Sequence, residues 1–138
     1  MVKTAKKITN MDNNILYTDS FQENIRKYRQ IKGLSQIQLG EISGLDRSTI
    51  AEIERKSDHN IKVETLKKLI EVIDDENLLD DYCRFILNQK EEIKKLIYKF
   101  GKKYLCNTLG VHRSTLERWG SEKYQVNRKM FDKIRSIT

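Results

Sequence analysis

Leu39-Gly40-Glu41-Ile42-Ser43-Gly44-Leu45-Asp46-Arg47-Ser48-Thr49-Ile50-Ala51-Glu52-Ile53 is the stretch whose reading decides the fold. Two helices that cross steeply through a tight turn need a residue that tolerates positive φ at the turn, and Gly44 supplies it. Four residues earlier the helices approach closely and need a very small side chain, which is Gly40. Leu45, Ile50 and Ile53 then fall on the inward side of the turn and of the second helix. The spacing predicts a helix-turn-helix, a motif whose second helix enters the DNA major groove with its first residues against base edges.

The same frame returns 66 residues further on, where Leu105, Cys106, Gly110, Val111, Leu116 and Trp119 stand for Leu39, Gly40, Gly44, Leu45, Ile50 and Ile53. Arg113-Ser114-Thr115 repeats Arg47-Ser48-Thr49, and after a one-residue deletion Val126, Phe131, Lys133 and Ile134 answer Ile61, Leu66, Lys68 and Leu69. An internal repeat is therefore expected. Leu109 is apolar where the first copy has Ser43.

Outward from the two turns, apolar residues recur at three and four, proline is absent, and β-branched residues are scattered rather than alternating, so the fold class is all-α. Ser20-Phe21-Gln22-Glu23 and Ser35-Gln36-Ile37-Gln38 have the form of capping boxes. Asp46 is placed to cap a third helix running to about Arg55, and a fourth covers roughly Val63 to Ile73. From Leu78 to Phe100 helical spacing continues as one helix or two. The expected organisation is a flexible basic arm (1–19), a first helix-turn-helix domain (20–75), a helical connector (76–90) and a second helix-turn-helix-like domain (91–138): two small bundles joined by a connector.

Of the 138 residues, 27 are Lys or Arg and 20 are Asp or Glu, a formal charge of +7. Residues 21–75 are balanced at 10 against 10, whereas residues 91–138 carry 12 basic and 5 acidic side chains. The excess in the last third points to an anionic partner, nucleic acid above all. No apolar run approaches the roughly 18–20 residues that span a bilayer, and the first residues lack the apolar stretch of a signal peptide. No membrane partner and a cytoplasmic location are the expectation. Cys83 and Cys106 belong to no CxxC pair and are expected as reduced thiols, while His59 and His112 are isolated. Without a metal cluster, a nucleophile–base arrangement or a phosphate-binding glycine loop, neither metal, cofactor nor enzymatic activity is expected.

From Ile25 to Ile73, the run Arg29…Gly33-Leu34-Ser35-Gln36…Leu39…Gly44-Leu45…Arg47-Ser48-Thr49-Ile50…Ile53-Glu54-Arg55…Thr65-Leu66…Leu69 resembles the Cro/CI-type (Xre) helix-turn-helix repressors. The resemblance covers about fifty residues and includes the Leu-Ser-Gln helix start and the Ile-Glu-Arg ending. It implies that Gln36 contacts phosphate and nearby bases, that Arg47, Ser48 and Glu52 face base edges, and that Arg29 and Glu54 form a buried ion pair. Lys56 departs from the usual glycine after the Glu-Arg pair, and Ser57-Asp58-His59-Asn60 lacks the common proline. Residues Phe100 to Ile137 resemble helix-turn-helix regulators of phage and mobile elements only in the broader sense.

The residues themselves leave a choice at each position. Arg47 and Arg113 can pair with guanine O6 and N7, or bind phosphate or solvent. Ser48 and Ser114 suit bases or phosphate, and Thr49 and Thr115 suit a base or a first-turn hydrogen bond. Glu52 could accept from cytosine or stay solvated, and Arg118 carries the more favourable charge at a neighbouring position. Lys102 and Lys103 suit phosphate as point charges. Lys123, Arg128 and Lys129 could track the DNA backbone or form a solvated face, and Lys3, Lys6 and Lys7 a groove-seeking arm or a tail. Trp119 is expected in the core, with base stacking as the rival. The leading expectation is a sequence-specific double-stranded DNA-binding regulator, with a homodimer through the apolar face of 78–100 set against intramolecular packing between the two units. The rival gives the C-terminal unit a protein partner, as an antitoxin or an inhibitor of a host defence nuclease would have. RNA binding is a third expectation.

Overall fold

The computed structural model describes residues 17–55 and 60–138, which form nine α-helices and no strand. Its residues divide into two units, the first made of 17–55 with 67–80 and the second of 60–66 with 81–138. The first holds α1 (Phe21–Ile31), α2 (Gln36–Ser43), α3 (Arg47–Arg55), most of α4 (Val63–Ile73) and a 3-10 turn at Glu76–Leu78. The second holds α5 (Asp81–Leu87), α6 (Gln89–Phe100), α7 (Lys102–Leu109), α8 (Arg113–Gly120) and α9 (Arg128–Ile137), with the first turn of α4 clustering on its side. The all-α expectation and both helix-turn-helix segments hold.

In the first unit α1 packs on α3 and on the 3-10 turn, and α2 packs on α3. Phe21, Ile25, Leu39, Ile50, Ile53, Leu69, Ile73 and Leu78 are buried. A buried polar group needs partners for all its atoms, and Asn24 has them. Its Nδ2 donates to the carbonyls of Thr18 and Leu78, both at 2.9 Å, and its Oδ1 accepts from the Thr18 amide at 2.8 Å. The two expected capping boxes differ. At Ser35 the box is complete, with Gln38 N–H donating to Ser35 Oγ at 3.0 Å and Ser35 N–H to Gln38 Oε1 at 2.8 Å. At Ser20 the hydroxyl accepts from Glu23 at 3.3 Å, but the Ser20 amide donates to Thr18 Oγ1 at 3.0 Å instead of to Glu23.

In the second unit α6 packs on α5, α7 and α8, and α7 packs on α8 and α9. The stretch left open as one helix or two divides at Asn88. Of its apolar positions in this unit, Tyr82, Phe85, Ile86, Ile93 and Leu96 are buried. Phe131 fills the core between Tyr82 and Phe85, with ring centroids 5.7 and 5.2 Å away. Gln89 is 2% exposed and closes the loop that follows α8. Its Nε2 donates to the Trp119 and Tyr124 carbonyls at 3.0 and 2.8 Å, and its Oε1 accepts from Val126 N–H at 2.8 Å. Neither cysteine forms a disulfide among the described residues; Cys83 is buried and Cys106 half-buried.

Candidate nucleic-acid interface

The first turn is built as its glycines require. Gly44 adopts φ 75° and ψ 30°, its amide bonds to the Gly40 carbonyl, and Leu45 N–H bonds to the same oxygen at 2.8 Å. A β-carbon on Gly40 would lie 2.5 Å from the Leu45 carbonyl oxygen, which is why only glycine fits there. The Asp46 carbonyl then accepts from Thr49 and Ile50 at 3.0 and 3.3 Å and starts α3. Ile50 and Ile53 turn inward, Arg47, Ser48 and Glu52 are exposed, and Thr49 is half-buried.

Behind α3 lies the expected ion pair. Arg29 Nε donates to Glu54 Oε2 at 2.7 Å and Nη2 to Oε1 at 2.9 Å, while Nη1 reaches the Leu34 carbonyl at 3.0 Å. The Glu54 hydrogen bond pushes the Arg29 pKa upward, burial opposes this, and the Glu54 charge adds to it. Gln36 is half-buried and donates to Glu54 Oε1 at 3.2 Å, so the ion pair holds its side chain. Nothing in the local sequence pattern signals that contact. Gln22 and Arg26 both donate to the Glu54 carbonyl at 2.7 Å, fixing the end of α3 on α1.

The second turn repeats the backbone of the first. Gly110 has φ 70° and ψ 35°, its amide and that of Val111 bond to the Cys106 carbonyl (Val111 at 3.1 Å), and the His112 carbonyl accepts from Thr115 and Leu116 at 3.0 and 3.2 Å. His112, at the position matching Asp46, caps α8, with Nδ1 accepting from the Ser114 amide at 3.3 Å and lying 3.1 Å from Ser114 Oγ. Leu116 and Trp119 are buried, placing Trp119 in the core.

The candidate contacts of this unit separate into two groups. Lys102, Lys103 and Arg113 come together around a cleft of about 470 Å³, where Cys106, Asn107 and His112 join them. Arg113 also lies 3.8 Å from Glu117. Arg118 is elsewhere, half-buried with its guanidinium 5.2 Å from the Tyr124 ring centre. Ser114 and Thr115 are half-buried. Asn107 and the cleft role of His112 were missed from sequence; the four-residue steps from Lys102 to Cys106 and from Lys103 to Asn107 were the available signal. Lys123 and Lys129 are exposed, and Arg128 lies 4.6 Å over the Tyr82 ring. Lys3, Lys6 and Lys7, and Lys56, Ser57, Asp58 and His59, lie outside the described residues.

A helix-turn-helix segment of the Cro/CI (Xre) type is what this geometry and the sequence match jointly define. Residues 25–77 match the family model described as helix-turn-helix. Control protein C.SmaI of Serratia marcescens is 54% identical over 44 residues, 32% of this chain and 51% of that protein, so the match spans about half the relative's length. No solved structure matches the chain.

Proposed function

We propose that this protein is a sequence-specific double-stranded DNA-binding transcriptional regulator, a cytoplasmic repressor of phage or mobile-element type that works by binding rather than by catalysis. The observation that carries this reading is one turn geometry occurring twice, each time ahead of a helix that begins Arg-Ser-Thr. The helix-turn-helix match over 25–77 and the name of the Serratia relative, a control protein, support a regulatory role. In this reading Arg47, Ser48 and Glu52 present the base-reading face of α3, and the first turns of α7 and α8 supply contacts from the basic second unit. Among the described residues no helix is long and apolar enough to cross a membrane.

Footprinting of the full chain on its own upstream DNA tests the proposal. Protection of two half-sites about 34–36 Å apart, or at multiples of that distance, is the expected result if both units dock on one face of the duplex. Arg47→Ala should lower operator affinity and cost about 1–3 kcal/mol of base discrimination at one position. An Arg47→Ala protein with unchanged affinity and base preference would overturn the assignment of α3. A homodimer would double the half-sites covered, which light scattering with and without operator would register.

A second reading makes the C-terminal unit a protein-binding module, antitoxin-like or inhibitory toward a host defence nuclease. The observation in its favour is a set of exposed tyrosines on that unit, with Tyr98 94% exposed and Tyr104 and Tyr124 about half exposed. An Arg113→Ala protein with a full-affinity, unchanged footprint would favour it.

A further inference from the structure

The cleft between the starts of α7 and α8 sets five polar or charged side chains around Cys106 and Val111. Lys102 and Lys103 enter from the first turn of α7, Asn107 from one turn further on, and His112 and Arg113 from the start of α8; no carboxylate lines it. With His112 Nδ1 facing the Ser114 amide at 3.3 Å, a proton on the ring belongs on Nε2, where it makes that edge a donor. The repeat supplies an internal control. At the five corresponding positions the first unit has Gln36, Ile37, Glu41, Asp46 and Arg47, one cation with two anions, where the second has three cations and no anion. The exchange of Glu41 for Asn107 and of Asp46 for His112 removes both negative charges from this position of the motif.

We infer that this cleft seats one sugar–phosphate linkage of the DNA backbone, so that Arg113 grips phosphate where Arg47 reads bases. The inference rests on the DNA-binding reading above and names the ligand of its second unit. The open cleft, about 470 Å³, leaves room for a segment of backbone. Chemistry agrees, because lysine ammonium groups bind phosphate as point charges and carry little base information. The second unit then supplies sequence-independent hold and the first supplies selection.

The test is a salt titration of full-length protein on a duplex of unrelated sequence, with far-UV circular dichroism on each variant to establish its fold. Each lost phosphate contact lowers the slope of log affinity against log salt by about one. Arg113→Ala should reduce the slope by about one and Lys102→Gln with Lys103→Gln by up to about two, with the same fold-loss on operator and unrelated duplex. Arg113→Lys should retain affinity and slope, because phosphate accepts either cation whereas a bidentate guanine contact requires the guanidinium.

Loss of base preference in Arg113→Lys, or slopes unchanged in Arg113→Ala and the double lysine variant, would overturn the inference while leaving Arg47-dependent binding intact. Failure of the wild-type chain to bind any duplex would instead remove the preceding proposal, and this one with it. A separate arm titrates inorganic phosphate against the His112 imidazole resonances. Lysine-dependent saturation by phosphate alone, with DNA slopes unchanged in the variants, would make the cleft a small-anion site and also overturn the inference.

Discussion

The two turns share a backbone and differ in almost everything that holds it. Gly44 and Gly110 differ by 5° in both φ and ψ, and each is followed by an amide bonded back to the residue four before it. The first turn is backed by the Arg29–Glu54 ion pair and begins its α2 with a complete Ser35 box. In the second unit the matching positions are Lys95, which is exposed, Gly120 and Gly101, and the support comes from the amide of Gln89 and the indole of Trp119. The comparison separates what the motif demands, a left-handed residue and an inward apolar frame, from what each copy was free to replace, the polar scaffold and the charge around the turn.

The sharpest way to break the comparison is to remove each scaffold in turn. Glu54→Ala leaves Arg29 only 16% exposed without its carboxylate and should cost about 3–5 kcal/mol, with hydrogen-exchange protection lost first in α1 to α3. Gln89→Ala should do the same to the α8–α9 loop, at about 1–3 kcal/mol for each backbone group left unpaired. Loss of protection spread equally over both units in either variant would contradict the division of support.

A smaller effect distinguishes the turns themselves. Gly40→Ala should cost about 1–3 kcal/mol, since the new methyl meets a backbone oxygen that cannot move aside. Cys106→Ala, which already has a β-carbon at the matching position, should cost less in the same urea titration. Gly44→Ala and Gly110→Ala should cost about 1–2 kcal/mol each and nearly equally, because both sites are open and only the positive φ is penalised.

The smallest effect concerns the first unit alone. The Tyr17 hydroxyl is buried without a hydrogen-bond partner among the described residues. Burial first, then the charge of Asp75 and the presence of Tyr28, raise its pKa above the ordinary 10.0. A raised folded-state value means its contribution is complete below pH 10 and is lost as pH climbs past the unfolded value toward the folded one. Tyr17→Phe should change stability by less than about 1 kcal/mol at pH 7 and flatten the alkaline limb of the pH–stability curve.

Much of this was legible from residue order because the motif is written in local terms. Glycine at a left-handed position, small or apolar residues at fixed spacing and a Ser-x-x-Gln helix start act within one or two turns of chain. The resemblance to Cro/CI-type repressors added the Arg29–Glu54 pair across 25 residues. What stayed hidden depends on side chains meeting over longer distances. Gln36 gave no sign that Glu54 holds it, nor Arg118 that it lies over Tyr124, nor Gln89 that it closes the loop after α8. The cleft was half visible, in Lys102, Lys103 and Arg113, and invisible where His112 and Asn107 complete it.

Trp119 is the chain's single tryptophan, 5% exposed at the end of α8, with its carbonyl held by Gln89. The molecule therefore carries its own optical label on one of its two motifs and none on the other. Emission from this indole reports the state of α8 directly, so whether the proposed seating of the second unit on a duplex occurs can be followed in unmodified protein. Events confined to Arg47 and its neighbours should leave that signal dark.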